Sequence, residues 1–341
     1  MPERYCVLHI GTHKTGSTAL QMFLKHNRAV LQAYGVMIPA QGYEPGVQIG
    51  HHRLASELMR EDDPQPLLDE LRDALASSRA PLAVLSSEEF VTLAARPERL
   101  ARLAETLEAS GRAIRVVVYL RPQAAWAESL YGERLRQRSR PPRFAQYVAA
   151  TVNNGGFAGD DLHVTLPFAY PQLLRPFAER FGANAIVARC YRGSADRAQL
   201  YRDFVGVLAE CAPALRALPI ETLIPRQAAN ESFTLLGLLN AAYAAIHARP
   251  AAQLLIASTV ASLATDDVLF ERFALLNREE AHAFLDAFGA SNRELERTFG
   301  TRVPFIEASD IASADDPVWQ RARTHRAIYD ACLDQWLADG G

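Results

Sequence analysis

YCVLHI-GTHKTGST-ALQMFL, residues 5–24, is the most informative segment of this chain. Its first six residues are an apolar run that predicts a buried β-strand, and the apolar spacing after residue 18 predicts an amphipathic helix. Between them, Gly11 and Gly16 allow backbone N–H groups to approach an anion, and the positive end of the helix dipole faces the same anion. One charged and three hydroxyl side chains add to this, namely Lys14, Thr15, Ser17 and Thr18. The stretch therefore predicts a strand, a loop for phosphate or sulfate, and a helix.

The order of residues in this loop argues against an ordinary nucleoside triphosphatase. A Walker loop, G-x-x-x-x-G-K-[ST], places its lysine after the second glycine and holds Mg²⁺ with the next hydroxyl. Here Lys14 precedes Gly16, and neither Gly-Lys-Ser nor Gly-Lys-Thr occurs in the chain. The alternative to an anion-binding loop is an ordinary turn between a strand and a helix, which contains glycines and a lysine by chance and has no function.

The order G-x-x-K-T-G-S-T after a strand resembles the 5′-phosphosulfate loop of sulfotransferases that use 3′-phosphoadenosine 5′-phosphosulfate (PAPS). The resemblance implies that the loop binds this donor through six residues, which are Gly11, Lys14, Thr15, Gly16, Ser17 and Thr18. It also implies that Lys14 is catalytic, because its charge neutralises the leaving phosphate oxygen. Alternating strands and helices predict a three-layer α/β/α fold with a mostly parallel sheet.

A second resemblance follows the clearest strand in the chain, AIRVVVYL at residues 113–120. It ends at Arg121-Pro122, and a helix with Pro122 in its first turn carries Ser129. From the sequence alone, these two side chains share a phosphate only if the chain folds back between them. Arg121 followed by Ser129 is similar to the sulfotransferase element that grips the 3′-phosphate of PAPS, although many members have Asn or Asp between the arginine and the proline. The resemblance implies Arg121 and Ser129 as ligands of that phosphate.

Candidates for a general base follow the apolar run 81–85, which ends in SSEE, residues 86–89. Ligands of open α/β sheets lie beyond the carboxyl ends of the strands, so these residues are expected near the loop. Helix capping, with a serine as N-cap and the glutamates in the first turn, is an equally good explanation. By the resemblance, Glu88 is the first choice as base. Because some related sulfotransferases use histidine, His51 and His52 compete with it, and Glu89 stays open.

Residues 184–191 predict another buried strand, and residues 195–208 predict the helix after it. By the same resemblance, Tyr191 lies against the adenine of the donor. An amphipathic residue at the rim of a sheet is an equally good interpretation of this tyrosine. After residue 225 the chain is expected to be mainly helical. We therefore predict one sulfotransferase-like domain over 1–341, with a nucleotide-binding core over 1–210 and a helical extension over 211–341.

The composition of the chain argues against several other classes of protein. The chain has 341 residues, of which 49% are hydrophobic and 22% charged, as expected of a soluble globular protein. A net charge of −3 gives no reason to expect nucleic-acid binding. The N-terminus lacks the pattern of a secretory signal, and the uncharged stretches are too short for a transmembrane segment, so a cytoplasmic protein is predicted. The four cysteines are scattered without zinc-ligand spacing, and no metal is expected.

The sequence thus predicts a PAPS-dependent sulfotransferase that moves a sulfuryl group to a hydroxyl, or as second choice an amine, of a carbohydrate or glycoconjugate. Adenosine 3′,5′-bisphosphate is the expected second product. One alternative is a nucleotide-dependent small-molecule kinase, which needs a Mg²⁺-binding carboxylate near the loop. The other is a catalytically silent nucleotide-binding protein. The sequence names neither the acceptor nor the oligomeric state.

Overall fold

The structure is a computed structural model, and it describes residues 3–43, 49–60, 63–136, 142–154, 156–159, 164–191, 197–225, 234–247, 266–269, 273–302 and 317–339. The chain divides into two compact units. The first comprises Met1–Arg121, Val164–Asn230 and Ser291–Val303, and the second comprises Pro122–His163, Glu231–Ala290 and Pro304–Gly341. The sequence-based division at residue 210 into a core and an extension of one domain stays a prediction.

The described strands, in chain order, are β1 (Tyr5–His9), β2 (Val36–Met37), β3 (Leu82–Ser86), β4 (Ala113–Leu120), β5 (Gly156–Gly159), β6 (Val164–Pro167) and β7 (Ile186–Cys190). Five of them form a sheet in the order β2-β3-β1-β4-β7, with every neighbouring pair parallel. The register aligns the last residue of β1, His9, with Ser86 of β3 and Val117 of β4. The carboxyl ends of these three strands therefore meet at one edge of the sheet.

The described α-helices, in chain order, are α1 (Ser17–His26), α2 (Arg28–Ala33), α3 (His52–Met59), α4 (Gln65–Ser77), α5 (Pro97–Ala109), α6 (Gln123–Arg136), α7 (Phe144–Asn154), α8 (Tyr170–Phe181), α9 (Arg197–Cys211), α10 (Ile220–Leu223), α11 (Leu235–His247), α12 (Asp266–Leu269), α13 (Arg278–Ala287), α14 (Gly289–Phe299) and α15 (Pro317–Asp339). Three 3₁₀ segments join them, at Glu88–Ala95, Ala183–Ala185 and Pro213–Ala217.

The first unit has three layers because side chains of a strand alternate between the two faces of the sheet. On one face, Val7, Val84 and Val117 belong to a buried apolar cluster with α1 and α9, which contribute Phe23 and Phe204. On the other side, α5 and α8 pack against each other and against β4. The predicted three-layer α/β/α fold with a mostly parallel sheet is confirmed.

The position of β1 in the sheet creates the crevice at its carboxyl end. From β1 the chain crosses over to β2 and returns to β3, and from β3 it passes to the other side of β1 to form β4 and β7. Connections from neighbouring strands therefore run to opposite sides, which leaves a crevice above the strand ends. The loop over residues 11–16 lies at that place.

The predicted elements differ from the observed ones in two respects. The helix expected over residues 19–31 is two helices, α1 and α2, separated at Asn27, whose side chain donates to the Phe23 carbonyl. The segment after α2 also contains the edge strand β2, whose two residues are too few to show the alternation that predicts a strand.

The described residues of the second unit are mainly helical. Within it, α6 packs against α7, α11 and α13, and α11 packs against α15. The Glu128 carboxylate of α6 accepts hydrogen bonds from the backbone N–H groups of Leu275 and Leu276, at 2.6 and 2.8 Å. In the part of the chain that the structure describes, none of the helices combines the length and the apolar character needed to cross a bilayer.

Candidate active site

The loop between β1 and α1 has an unusual backbone. Gly11, Lys14 and Gly16 all have positive φ angles, of 90°, 62° and 83°, and Lys14 is the one non-glycine residue with positive φ among those described. Such a conformation is costly for a residue with a side chain and is concentrated at functional sites. Thr12 and Thr15 hold the loop in place: the Thr15 hydroxyl donates to the Thr12 carbonyl at 2.5 Å, and the Thr12 N–H donates to Tyr119 at 3.1 Å.

Gly11 and Gly16 are also required because other residues lie too close to leave room for a side chain. A Cβ on Gly11 would lie 2.9 Å from the Cα and Cβ of Glu88. A Cβ on Gly16 would lie 2.6 Å from Leu200 and 3.1 Å from the ring of Tyr191. The loop therefore contacts the segment after β3 on one side and the residue after β7 on the other. Two predicted site residues, Glu88 and Tyr191, are neighbours of the loop, although only the tertiary fold brings them there.

The N-terminus of α1 follows the loop directly. The helix begins at Ser17 with Gly16 as N-cap, and no side chain among the described residues caps it. Its first turn contains no acidic residue. The first N–H groups of a helix have no partner within the helix, so they are available to an anion together with the hydroxyls of Ser17 and Thr18. Ser17 is buried and Thr18 is half-buried.

Arg121 reaches the loop from the end of β4. Its guanidinium donates to the carbonyl oxygen of Lys14 at 3.3 Å, and its own carbonyl accepts a hydrogen bond from the Tyr170 hydroxyl. Arg121 is half-buried. Ser129, its predicted partner, is half-buried in α6 of the second unit. The convergence of Arg121 and Ser129 on one phosphate stays a prediction.

Glu88 is the centre of a hydrogen-bonded group above β3. Its Oε2 accepts from Nε2 of Gln21 at 2.6 Å and lies 3.9 Å from Nε2 of His52. Nδ1 of His52 lies 2.9 Å from Oγ of Ser87. Burial by itself would raise the pKa of Glu88, but the charges of His52 and His13 and the Gln21 hydrogen bond oppose it, and the pKa is lowered. The carboxyl is therefore ionised at neutral pH.

The segment after β3 both caps a 3₁₀ helix and supplies the carboxylate that lies beside His52. Ser87 is the N-cap of the 3₁₀ segment, and its Oγ accepts from the Glu89 N–H at 3.2 Å. Capping by a serine is thus confirmed, while the carboxylate of the next residue, Glu88, joins the group around His52. Glu89 points to a second histidine: its Oε2 lies 3.9 Å from Nε2 of His13, a residue of the loop.

The structure distinguishes the two adjacent histidines. His52 is partly exposed beside Glu88, whereas His51 is fully buried. Nδ1 of His51 accepts from the Ser86 N–H at 3.0 Å, and its ring packs at 70° on Tyr43, with the ring centroids 4.6 Å apart. Burial lowers the pKa of His51 to about 3. His51 is therefore held against the end of β3 at Ser86, and His52 is the histidine that lies next to Glu88.

Buried neutral histidines predict a loss of stability in acid. Burial lowers the pKa of His51 to about 3 and that of His9 to about 4, against about 6.5 in the unfolded chain. Between these values the unfolded chain binds more protons, so the free energy of unfolding falls as pH falls from about 6.5, by up to about 1.4 kcal/mol per unit for each histidine. Heat unfolding of His51→Asn, which keeps an acceptor near Nδ1, should show a shallower decline between pH 6.5 and 4. An unchanged slope would contradict this assignment.

Sequence reasoning missed three residues around Glu88. His9 is fully buried, with Nδ1 2.8 Å from Oγ of Ser86. His13 belongs to the loop, and Gln21 lies one turn into α1. A position four residues after Ser17 on the same helix face is the one sequence signal that could have indicated Gln21. Among the described residues, no three His, Cys, Asp or Glu side chains form a group suited to a metal ion.

No protein-family model matches the chain, and no curated protein matches its sequence. A solved structure described as a sulfotransferase from Alicyclobacillus acidocaldarius aligns with 87% of this chain and 96% of its own, at 14% sequence identity and a TM-score of 0.43. The fold defines the class of this protein as a three-layer α/β/α protein, with a loop that contains three residues of positive φ after its first strand.

Proposed function

We propose that this chain is a group-transfer enzyme that binds an anionic donor at the loop after β1. The particular activity that we propose is transfer of a sulfuryl group from PAPS to a hydroxyl of a carbohydrate or glycoconjugate. One observation carries the proposal: a loop with a lysine, an arginine and an ionised carboxylate occurs at one edge of the sheet, where Arg121 contacts the carbonyl of Lys14 and Gly11 abuts Glu88.

The donor half of the proposal is supported by the uncapped start of α1 and by the positive φ of Lys14. The helix N–H groups and the hydroxyls of Ser17 and Thr18 would bind the 5′-phosphosulfate. Arg121 and Ser129 are the proposed ligands of the 3′-phosphate. The Tyr191 ring, packed beside Gly16, is the proposed contact of the adenine.

The acceptor half of the proposal is supported by the ionised state of Glu88. Transfer requires the acceptor oxygen, the sulfur and the leaving phosphate oxygen to lie in line. The acceptor O–S bond forms while the bond from sulfur to the 5′-phosphate oxygen breaks, and the electron pair stays on that oxygen, where Lys14 neutralises it. The acceptor proton passes to Glu88. His52, 3.9 Å away, favours the ionised carboxylate before this transfer.

The kinase remains the second candidate because the same scaffold binds nucleotide phosphates. Calorimetric titration with adenosine 3′,5′-bisphosphate, ATP with Mg²⁺ and adenosine 5′-monophosphate separates the candidates. We expect tight binding of the bisphosphate alone, followed by transfer from PAPS in an acceptor screen. Preference for ATP with Mg²⁺ would favour the kinase, and bisphosphate binding without transfer to any acceptor would favour the catalytically silent protein.

Arg121→Ala tests the proposed 3′-phosphate site. Loss of a charged hydrogen bond to phosphate should weaken binding of adenosine 3′,5′-bisphosphate by about ten- to a hundredfold. Binding of adenosine 5′-phosphosulfate, which lacks the 3′-phosphate, should change much less. Arg79→Ala is the matched control, since Arg79 is exposed and precedes β3 at the opposite edge of the sheet. Equal weakening of both ligands by Arg121→Ala would contradict the assignment.

A further inference from the structure

Gln21 has a buried side-chain amide at a position where an apolar side chain would make the protein more stable. It is 1% exposed, and its Oε1 has no hydrogen-bond partner among the described residues. Burial of an unpaired amide oxygen destabilises a protein, and a leucine at this position would avoid that cost. The other half of the amide, Nε2, donates to Oε2 of Glu88 at 2.6 Å. This hydrogen bond is the contact that an apolar residue could not make.

The surroundings of Gln21 fix the orientation of its amide. A carboxylate only accepts hydrogen bonds, so the amide must present its NH₂ group to Glu88. A Cβ on Gly50 would lie 2.9 Å from Cδ of Gln21 and 2.7 Å from the carbonyl oxygen of Ser86. The side chain is thus enclosed between α1, Gly50 and the end of β3.

Gln21 also belongs to the helix that begins at the loop. It lies four residues, or one turn, after Ser17, so both side chains are on the same face of α1. A single rigid turn therefore sets the distance between the start of the helix and the amide that holds Glu88. An anion bound at the N-terminus of α1 would therefore lie at a fixed distance from the Glu88 carboxylate.

We propose that Gln21 is a positioning residue, which fixes the Glu88 carboxylate relative to the donor loop. The proposal rests on the proposed function, in which Glu88 takes the acceptor proton as the acceptor O–S bond forms and the sulfur–phosphate oxygen bond breaks. Gln21 itself gains or loses no proton. Its hydrogen bond favours the ionised form of Glu88, so its removal should make the carboxylate protonate at higher pH.

The charged and titratable groups that face Glu88 come from several elements. They are His52 of α3, His13 of the loop and His9 of β1. His13 and His52 lower the pKa of Glu88, as the Gln21 hydrogen bond does, so all three groups favour the ionised carboxylate. The test must therefore compare variants at Gln21 across the whole pH range and must include a readout that does not depend on turnover.

Heat unfolding of a double-mutant set provides that readout. Gln21→Leu should lower the unfolding midpoint in the natural chain, because Glu88 loses a donor. In a chain that already carries Glu88→Ala, Gln21→Leu should raise the unfolding midpoint. The Gln21 amide has no carboxylate partner in that chain, so its replacement by leucine removes an unpaired buried polar group. Gln32→Leu, the same substitution at an exposed glutamine of α2, should have little effect in either background. Gln21→Met serves if Gln21→Leu fails to fold. Equal effects of the Gln21 substitution in both backgrounds would overturn the proposal.

The second measurement is the pH profile of transfer from PAPS. Gln21→Leu should move the acid limb upward by about one pH unit, which is about a tenfold loss of turnover on that limb and near-recovery at higher pH. Affinity for adenosine 3′,5′-bisphosphate should stay within about twofold. If Gln21→Leu lowered turnover by the same factor at every pH, the role of Gln21 would be structural only, and the proposal would be overturned. If the natural chain neither binds the bisphosphate nor transfers, the proposed function fails, while the unfolding set still decides whether Gln21 holds Glu88.

Discussion

Lys14→Ala should lower the turnover of sulfuryl transfer by about a thousandfold while the chain stays folded. Lys14 has positive φ in the loop before α1, and its carbonyl is held by Arg121. In the proposed reaction its ammonium group neutralises charge that grows on the leaving phosphate oxygen only as the bond to sulfur breaks. Loss of one such group typically costs about a hundred- to a thousandfold in turnover, and loss of a full charge should be at the upper end of that range.

The chain provides a natural control for this experiment. Its two lysines are Lys14 and Lys25, and Lys25 is exposed in the last turn of α1. Lys25→Ala removes an identical charge from the last turn of α1, which is the end of the helix away from the loop that carries Lys14. Turnover and the unfolding midpoint should be measured for both variants. If Lys14→Ala retains the turnover of Lys25→Ala, the role assigned to Lys14 is wrong.

Glu88→Gln should lower turnover by about a hundred- to ten-thousandfold, the range expected for loss of a general base. Binding of adenosine 3′,5′-bisphosphate should be almost unchanged, because the carboxylate is proposed to face the acceptor side. The pKa of Glu88 is lowered, so in the natural chain activity should be fully present at neutral pH and lost as pH falls through that pKa. This acid limb should disappear from the residual activity of Glu88→Gln.

Glu89→Gln is the matched control, since it removes the neighbouring carboxylate, whose Oε2 lies 3.9 Å from His13. Its turnover should fall far less than that of Glu88→Gln. His52→Ala distinguishes the remaining competitor. If His52→Ala depresses turnover as deeply as expected for a base while Glu88→Gln does not, the proton passes to the histidine instead.

Several local elements could be predicted from the sequence because their signals lie within a few residues. The β4 strand, Ala113–Leu120, was expected at the residues that it occupies, since an uninterrupted valine-rich run has no good alternative in a soluble protein. The cap at Ser87 was expected as one of two roles for its segment. The break at Asn27 was missed because the apolar spacing continues across it.

The composition of the candidate site was harder to predict, because its contacts join distant parts of the chain. Gln21 and Glu88 are 67 residues apart, and Arg121 and Lys14 are 107 residues apart. The sequence also treated His51 and His52 alike. The structure separates them, since His51, the N-cap of α3, is buried and has a pKa lowered to about 3, whereas His52 lies beside Glu88.

The strand, loop and helix over residues 5–24 could be predicted from local sequence, because glycine conformations, apolar runs and helix starts depend on neighbouring residues. The fold class could be predicted as well, since alternating strands and helices leave few ways to bury their apolar faces. The side chains that meet at the edge of the sheet, in contrast, are known from the tertiary structure alone. The reason is the parallel register, which aligns His9 with Ser86 and Val117 and so brings three separate strand ends to one loop.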